Sequence, residues 1–324
     1  MDKWKIFVTR RIPELGLKKL REKCEVETNL LDRALTKKEI IEGLRSKDAL
    51  YCLLTDTIDE EIIISNPNLR IIANYAVGYE NIDVKAATEN GVAVTHTPGV
   101  LTDTTADLAW SLILSVSRRI IEADRFTRKG EFKGWDPLLF LGGDIYRKTL
   151  GIVGAGRIGT AVAKRSRGFE MKVLYFDIRA NKEIEKGVGA HRVSLAQLLK
   201  NSDFISVHIP LSEKTHHLIG EKEFELMKPN SYLINTSRGP IVDEKALVRV
   251  LKQRRIAGAG LDVYEKEPKL TLGLTELDNI VLLPHIGSAS HETRNQMALL
   301  AAENCLAALE GKVPSHLVNP EVWS

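Results

Sequence analysis

Thr149-Leu150-Gly151-Ile152-Val153-Gly154-Ala155-Gly156-Arg157-Ile158-Gly159 is the stretch on which the fold turns. Its first five residues are a short apolar run of strand character, and the next six fit G-x-G-x-x-G. The helical stretch Ile158 to Gly168 follows. A glycine hexapeptide alone is weak evidence, because glycine-rich turns are common. Set between a strand and a helix, it meets several requirements of a dinucleotide site together. Gly154 permits a tight turn, Gly156 lets the backbone approach a pyrophosphate, and Gly159 allows a helix to pack closely on a strand. The helix opening here turns unpaired N–H groups and positive partial charge toward a phosphate, so Ala155, Arg157 and Ile158 join the glycines as cofactor-binding positions. Eighteen residues beyond Gly159, Asp177 ends the next strand, where a carboxylate accepts hydrogen bonds from ribose hydroxyls.

Downstream, the apolar runs Lys172 to Phe176, Asp203 to Ile209, Ser231 to Asn235, Ala257 to Val263 and Asn279 to Leu283 bring the strand count to six, that of a doubly wound dinucleotide fold. Upstream, Ile6 to Val8, Ala49 to Leu54, Leu69 to Ala73 and Val92 to Thr95 read as strands. They alternate with helix candidates at Pro13 to Lys23, Thr36 to Arg45 and Asp59 to Ser65, the pattern of a parallel sheet covered by helices. Thr102 to Arg128 reads as one helix of several turns, followed by a loop rich in glycine and aromatic residues at 130–137. The last helix, about Ala289 to Leu309, comes after the second sheet is complete and is expected to return to the first domain. The fold class is therefore α/β with two doubly wound parallel-sheet domains. A Rossmann-type nucleotide domain over 101–287 is expected to be inserted in a flavodoxin-like substrate domain made of 1–100 plus 288–324.

Composition narrows the function classes. The 324 residues suffice for two domains of ~150 residues each. A net charge of +3 with scattered basic residues argues against a nucleic-acid partner. Cys24, Cys52 and Cys305 lie far apart with no ligand spacing, so they read as free thiols of a reducing cytoplasm rather than as disulfides or a metal site. No apolar run approaches the ~18 residues of a membrane span, and no signal-peptide pattern is present.

Ligands of such folds bind at the carboxyl ends of strands. After the strand ending at Asn235 comes Thr236-Ser237-Arg238-Gly239; after Gly260-Leu261-Asp262-Val263 comes Tyr264-Glu265-Lys266-Glu267-Pro268; after Val281-Leu282-Leu283 comes Pro284-His285-Ile286-Gly287-Ser288. Each polar side chain has an ordinary reading: Arg238 as a solvated charge, Glu267 as a turn residue, His285 as a structural histidine. Their emergence from successive strand ends of one sheet favours chemistry. Together they supply a cation for a carboxylate, an acid for a developing alkoxide, and a carboxylate that orients that acid. His208, inside a strand, and His216–His217, on a turn, better suit structural roles.

The sequence resembles the D-isomer-specific 2-hydroxyacid dehydrogenases over almost its whole length. The matching segments are Ala76-Val77-Gly78-Tyr79-Glu80-Asn81-Ile82-Asp83, Gly154–Gly159, Asn235–Gly239, Gly260–Val263 with Glu267-Pro268, and Pro284–Ser288. Within the family it looks most like the glyoxylate/hydroxypyruvate reductases. The resemblance implies that Arg238 binds substrate, Glu267 supports the acid/base, and His285 is the acid/base. It implies that Asp262 faces the nicotinamide carboxamide and that Thr104 or Thr105 lies near the cofactor, as do Thr236, Ser237 and Gly287. It places the backbone of Val77-Gly78 at the substrate carboxylate with Leu54 beside it, and implies a homodimer built on the helix and loop near 102–140. Phosphite-oxidising relatives carry Lys where this chain has Val77, which argues against that activity. The expected reaction is reduction of a small 2-oxo acid, glyoxylate or hydroxypyruvate, to the D-2-hydroxy acid. NADH is expected to be preferred over NADPH because Asp177 outweighs nearby Arg179. The alternatives are a D-3-phosphoglycerate dehydrogenase and a non-enzymatic NAD(H)-sensing regulator. A methyltransferase would share the glycine turn without needing the Arg, Glu and His set.

Overall fold

The computed structural model describes residues 3–31 and 33–323. The chain forms two compact units, one of Met1–Leu101 with Ala289–Ser324 and one of Thr102–Ser288. In the first lie β1 (Trp4–Val8), α1 (Glu14–Arg21), β2 (Cys24–Thr28), α2 (Lys37–Leu44), β3 (Ala49–Cys52), α3 (Glu60–Ile64), β4 (Ile71–Asn74), α4 (Val84–Glu89) and β5 (Ala93–Thr95). All pairings are parallel, in the order β2-β1-β3-β4-β5, the flavodoxin-like order. β3 and β4 are buried along their full length, as parallel strands covered on both faces must be. Side chains alternate between two cores. Ile6, Val8, Tyr51 and Ala73 pack with Leu17, Leu20 and the C-terminal helix His291–Leu309, whereas Phe7, Leu50 and Ile72 pack with Ile40, Leu44, Ile62 and Ile63. At Gly16 an added Cβ would lie 2.8 Å from the Ala298 Cβ, so the C-terminal helix and α1 touch nearly backbone to backbone.

The second unit contains α5 (Thr102–Ser117), α6 (Ile120–Arg128), β6 (Thr149–Val153), α7 (Arg157–Arg165), β7 (Lys172–Phe176), α8 (Lys182–Val188), β8 (His191–Arg192), α9 (Leu195–Asn201), β9 (Phe204–Val207), α10 (Glu221–Leu226), β10 (Tyr232–Asn235), α11 (Glu244–Lys252), β11 (Gly258–Leu261) and β12 (Ile280–Leu282). The C-terminal helix is α12. The sheet order is β12-β11-β10-β9-β6-β7-β8, again all parallel, which is the 3-2-1-4-5-6 winding with a seventh strand added at one edge. The winding reverses between β6 and β9, so the carboxyl ends of these two strands flank the switch point.

Two expectations change. The sheet has seven strands rather than six, because β8 is two exposed polar residues with no apolar pattern to reveal it. The stretch Thr102–Arg128 is two helices, not one. Arg119 sits in the left-handed region at φ 52°, its guanidinium held by Glu122, and this breaks the path without any glycine or proline. β2 and α4 lie outside the expected elements as well; β2 is an edge strand that turns Glu25 outward. Among the described residues no helix is long and apolar enough to cross a membrane.

Candidate active site

The loop Gly154–Gly159 joins β6 to α7 at the switch point. Gly154 adopts φ +95°, and a Cβ there would fall 2.5 Å from Ile209 Cγ2 and 2.8 Å from the His208 carbonyl carbon. A Cβ on Gly159 would collide with the Gly154 carbonyl oxygen. Gly156, the N-cap of α7, differs: its φ of −72° suits any residue, and a Cβ there meets nothing within 4 Å. Protein packing thus explains two glycines, and the third keeps open the ground above the helix N-terminus where a pyrophosphate would lie. Arg157 is exposed at the first turn of α7, with half-buried Ile158 packed beneath. Asp177 accepts from the Ala155 N–H (2.7 Å) and the Arg179 N–H (3.1 Å), which puts its carboxylate against the loop at the end of β7. Asn181, the N-cap of α8, donates to the Ala155 carbonyl (2.8 Å) and to Thr160 Oγ1 (2.7 Å). Its role in bracing the loop escaped the sequence reading, where it looks like an ordinary helix cap.

Arg238, Glu267 and His285 all lie in this unit, on the loops after β10, β11 and β12. Glu267 Oε2 is 2.8 Å from His285 Nδ1, and Glu267 Oε1 accepts from the Tyr264 N–H at 3.0 Å. Burial pushes the Glu267 pKa up, but the hydrogen bond and charge of His285, the Tyr264 N–H and the Arg238 guanidinium together hold it below the usual carboxylate value. His285 is left-handed at φ 55°, a strained state for a side-chain-bearing residue of the kind that clusters at functional sites. Arg238 is half-buried and donates to the Ser237 carbonyl at 2.8 Å. At Gly239 any Cβ would collide with the Tyr264 backbone, so the Arg238 turn lies directly on the loop that carries Glu267.

Buried polar atoms without partners mark a second part of the site. Asp262 Oδ1 accepts from the Ile286 N–H at 2.7 Å, but Asp262 Oδ2 has no hydrogen-bond partner among the described residues, and neither has Thr236 Oγ1. Burial raises the Asp262 pKa, opposed by the Ile286 N–H, the charge of His285 and, short of full hydrogen-bond geometry, the Gly287 N–H. A Cβ on Gly287 would sit 3.2 Å from Asp262 Oδ2 and 3.5 Å from Thr105 Cγ2, so Thr105, Asp262 and Gly287 converge. Uncompensated buried polar groups are costly, and an amide-bearing ligand would satisfy them. Ser237 donates its hydroxyl to Asn235 Oδ1 at 2.9 Å. His208 bonds Ser206 Oγ (2.7 Å), burial lowers its pKa to about 3, and its Nδ1 is a further orphaned atom beside the glycine loop. It lies one residue past the end of β9 rather than inside a strand as expected, and is therefore less plainly structural. His216 and His217 stack on each other at 4.1 Å.

In the first unit, Leu54 follows β3 while Val77 and Gly78 follow its neighbour β4. The carbonyls of Ala76, Val77 and Gly78 are bonded in turn by the Thr97 N–H, His96 Nδ1 and Asn74 Nδ2, each at 2.8 Å. Among the described residues no group of His, Cys, Asp or Glu is placed to hold a metal, and all three cysteines are buried.

A glycine phosphate loop at the switch point, an orphaned carboxylate and threonine at the ends of two other strands of the same sheet, and a histidine–glutamate pair next to an arginine define a class: an NAD(P)-dependent oxidoreductase acting on CH–OH groups. The family model for the D-isomer specific 2-hydroxyacid dehydrogenase NAD binding domain matches residues 110–287, and the chain belongs to that family. It is 53% identical to a glyoxylate reductase of Thermococcus litoralis, over 98% of this chain and 97% of the relative. A Thermus thermophilus protein of solved structure aligns with a TM-score of 0.90 and 42% identity, covering 97% of this chain and 99% of that one. An NADPH-dependent glyoxylate/hydroxypyruvate reductase from Sinorhizobium meliloti, solved with NADP and malonate, aligns with a TM-score of 0.88 and 31% identity, covering 99% and 98%.

Proposed function

We propose that this chain reduces glyoxylate to glycolate, or hydroxypyruvate to D-glycerate, with NADH, and that Arg238, Glu267 and His285 carry the chemistry. The observation that carries this reading is the 2.8 Å His285–Glu267 pair, formed between two strand-end loops and lying near Arg238. When bound, the reduced nicotinamide supplies a hydride to C2 of the 2-oxo acid. The Arg238 guanidinium holds the substrate carboxylate through paired N–H donors. A cationic His285 spends its Nδ1 proton on Glu267 and has only the Nε2 proton to give, which goes to the carbonyl oxygen as it becomes the alcohol. Asp262 Oδ2 and Thr236 Oγ1 would take the carboxamide, and Thr105 and Gly287 its flank. The glycine loop, with Ala155, Arg157 and Ile158, would take the pyrophosphate. Val77 and Gly78 are proposed as carboxylate contacts of the first unit, supported by their tied-back carbonyls, with Leu54 as an apolar neighbour. A homodimer and a cytoplasmic location complete the reading. The dimer is supported by Trp135, Leu138 and Leu141, exposed at 86%, 75% and 62% on one loop.

NADH oxidation followed by absorbance with a panel of 2-oxo acids tests the substrate. The expected result is turnover of glyoxylate and hydroxypyruvate. A higher kcat/KM for 3-phosphohydroxypyruvate or for phosphite would overturn it. NADH binding without turnover of any 2-oxo acid would favour the sensing regulator.

Cofactor choice is tested at Asp177. A 2′-phosphate would meet a like charge there and lose the ribose hydroxyl donor. We expect NADH to be favoured over NADPH by at least ~10-fold in kcat/KM, about 1.4 kcal/mol. Asp177→Ser should erode that preference and leave Arg179 to favour NADPH. Equal or better kcat/KM with NADPH in the wild-type protein refutes this role for Asp177.

A further inference from the structure

Glu244 is buried (2% exposed) at the start of α11 and takes no part in the chemistry above. Its Oε1 accepts the Glu265 N–H at 2.8 Å and its Oε2 accepts the Thr271 hydroxyl at 2.5 Å. Glu265 reciprocates: its own Oε1 accepts the Glu244 N–H at 2.8 Å and stands 3.2 Å from His217 Nε2. One buried carboxylate therefore clamps both flanks, residues 265 and 271, of the segment that carries Glu267. The same segment is fastened to the His285 loop, because the Tyr264 hydroxyl donates to the Leu283 carbonyl at 2.8 Å. It also presses on the Arg238 turn at Gly239. Burial, and to a lesser degree the like charge of Glu265, raise the Glu244 pKa, while the Thr271 hydroxyl and the Glu265 N–H oppose that rise. A buried carboxylate without such partners would be costly, and keeping one here makes the loop's placement depend on it.

We propose that Glu244 is a positioning residue for the acid–base pair: by clamping residues 265 and 271 it sets Glu267 on His285 Nδ1. The inference rests on the reading of Glu267 and His285 given above. A misplacement of about 1 Å can cost ~10²-fold in rate, and a glutamine at 244 can still accept from only one of the two donors. Glu244→Gln should therefore lower kcat about tenfold or more while the NADH Kd stays at the wild-type value. In proton NMR, the downfield Nδ1–H resonance of the His285–Glu267 hydrogen bond, assigned by its loss in His285→Asn, should shift or disappear. Thr271→Val should reproduce part of both effects, and Thr271→Ser, which keeps the hydroxyl, should restore both. Should Glu244→Gln fail to fold, the two Thr271 variants decide the matter by the same readouts. An unchanged kcat overturns the proposal. So does a lowered kcat with an unshifted resonance, which would signal general loosening rather than displacement of the pair. Glu267→Gln is the control: wild-type turnover in that variant would topple the assignment of the pair itself, whereas a large loss there beside a silent Glu244→Gln would topple only the clamp.

Discussion

His285→Asn is expected to lower kcat for glyoxylate reduction by ~10²–10⁴, the usual contribution of one general acid, while NADH binding stays near normal. Asparagine is a sharper probe than alanine for a conformational reason. Position 285 sits at φ 55°, and asparagine tolerates the left-handed region better than almost any other non-glycine residue. The backbone can therefore stay in place. The asparagine amide can also replace the ring's Nδ1 as donor to Glu267 Oε2, a bond now 2.8 Å long. Only the transferable proton is lost. Single-turnover rates with saturating NADH would isolate that loss, and NADH fluorescence titration would report cofactor binding. Near-wild-type turnover would mean that the proton comes from elsewhere.

Much of the candidate site was legible because its polar residues sit at strand ends, and strand ends are marked by the apolar runs that precede them. The βα alternation, the glycine hexapeptide and the three polar strand-end residues needed only local pattern. What stayed hidden was held in tertiary geometry. The 102–128 stretch reads as one helix because the break at Arg119 uses a left-handed arginine tied to Glu122, a choice that no propensity favours. β8 has two residues, both exposed, so periodicity has nothing to act on. Asn181 and Glu244 look like helix-start residues, and each also is one: the side chain of Asn181 caps α8, and Glu244 opens α11. Their second tasks, bracing the phosphate loop and clamping the Glu267 segment, depend on partners tens of residues away. Asp177 was placed by the spacing of the dinucleotide pattern. Its bond to the Ala155 N–H, which draws the carboxylate onto the loop, is visible only in three dimensions.

The glycine loop offers the other large effect, because its glycines answer to different masters. Gly156 is the N-cap of α7, in extended conformation at φ −72° and ψ −161°, with nothing within 4 Å of an added Cβ. Serine is among the favoured N-cap residues, so Gly156→Ser should fold with undiminished thermal stability. Its side chain nonetheless enters the space above the helix N-terminus, where backbone N–H groups would meet the pyrophosphate. The NADH Kd is expected to rise by at least ~10-fold, about 1.4 kcal/mol. Gly159→Ala should behave in the opposite order. Its Cβ would collide with the Gly154 carbonyl oxygen and lie 3.0 Å from Ile152 Cγ2, so α7 must shift off β6. Overpacking of that kind costs ~1–3 kcal/mol, which lowers the melting temperature of a unit this size by a few to about ten degrees. Calorimetry paired with NADH titration separates the two. Wild-type NADH affinity in Gly156→Ser would show that the pyrophosphate does not cross this loop. A Gly159→Ala protein as stable as the wild type would show that α7 and β6 are not as closely packed as the geometry requires.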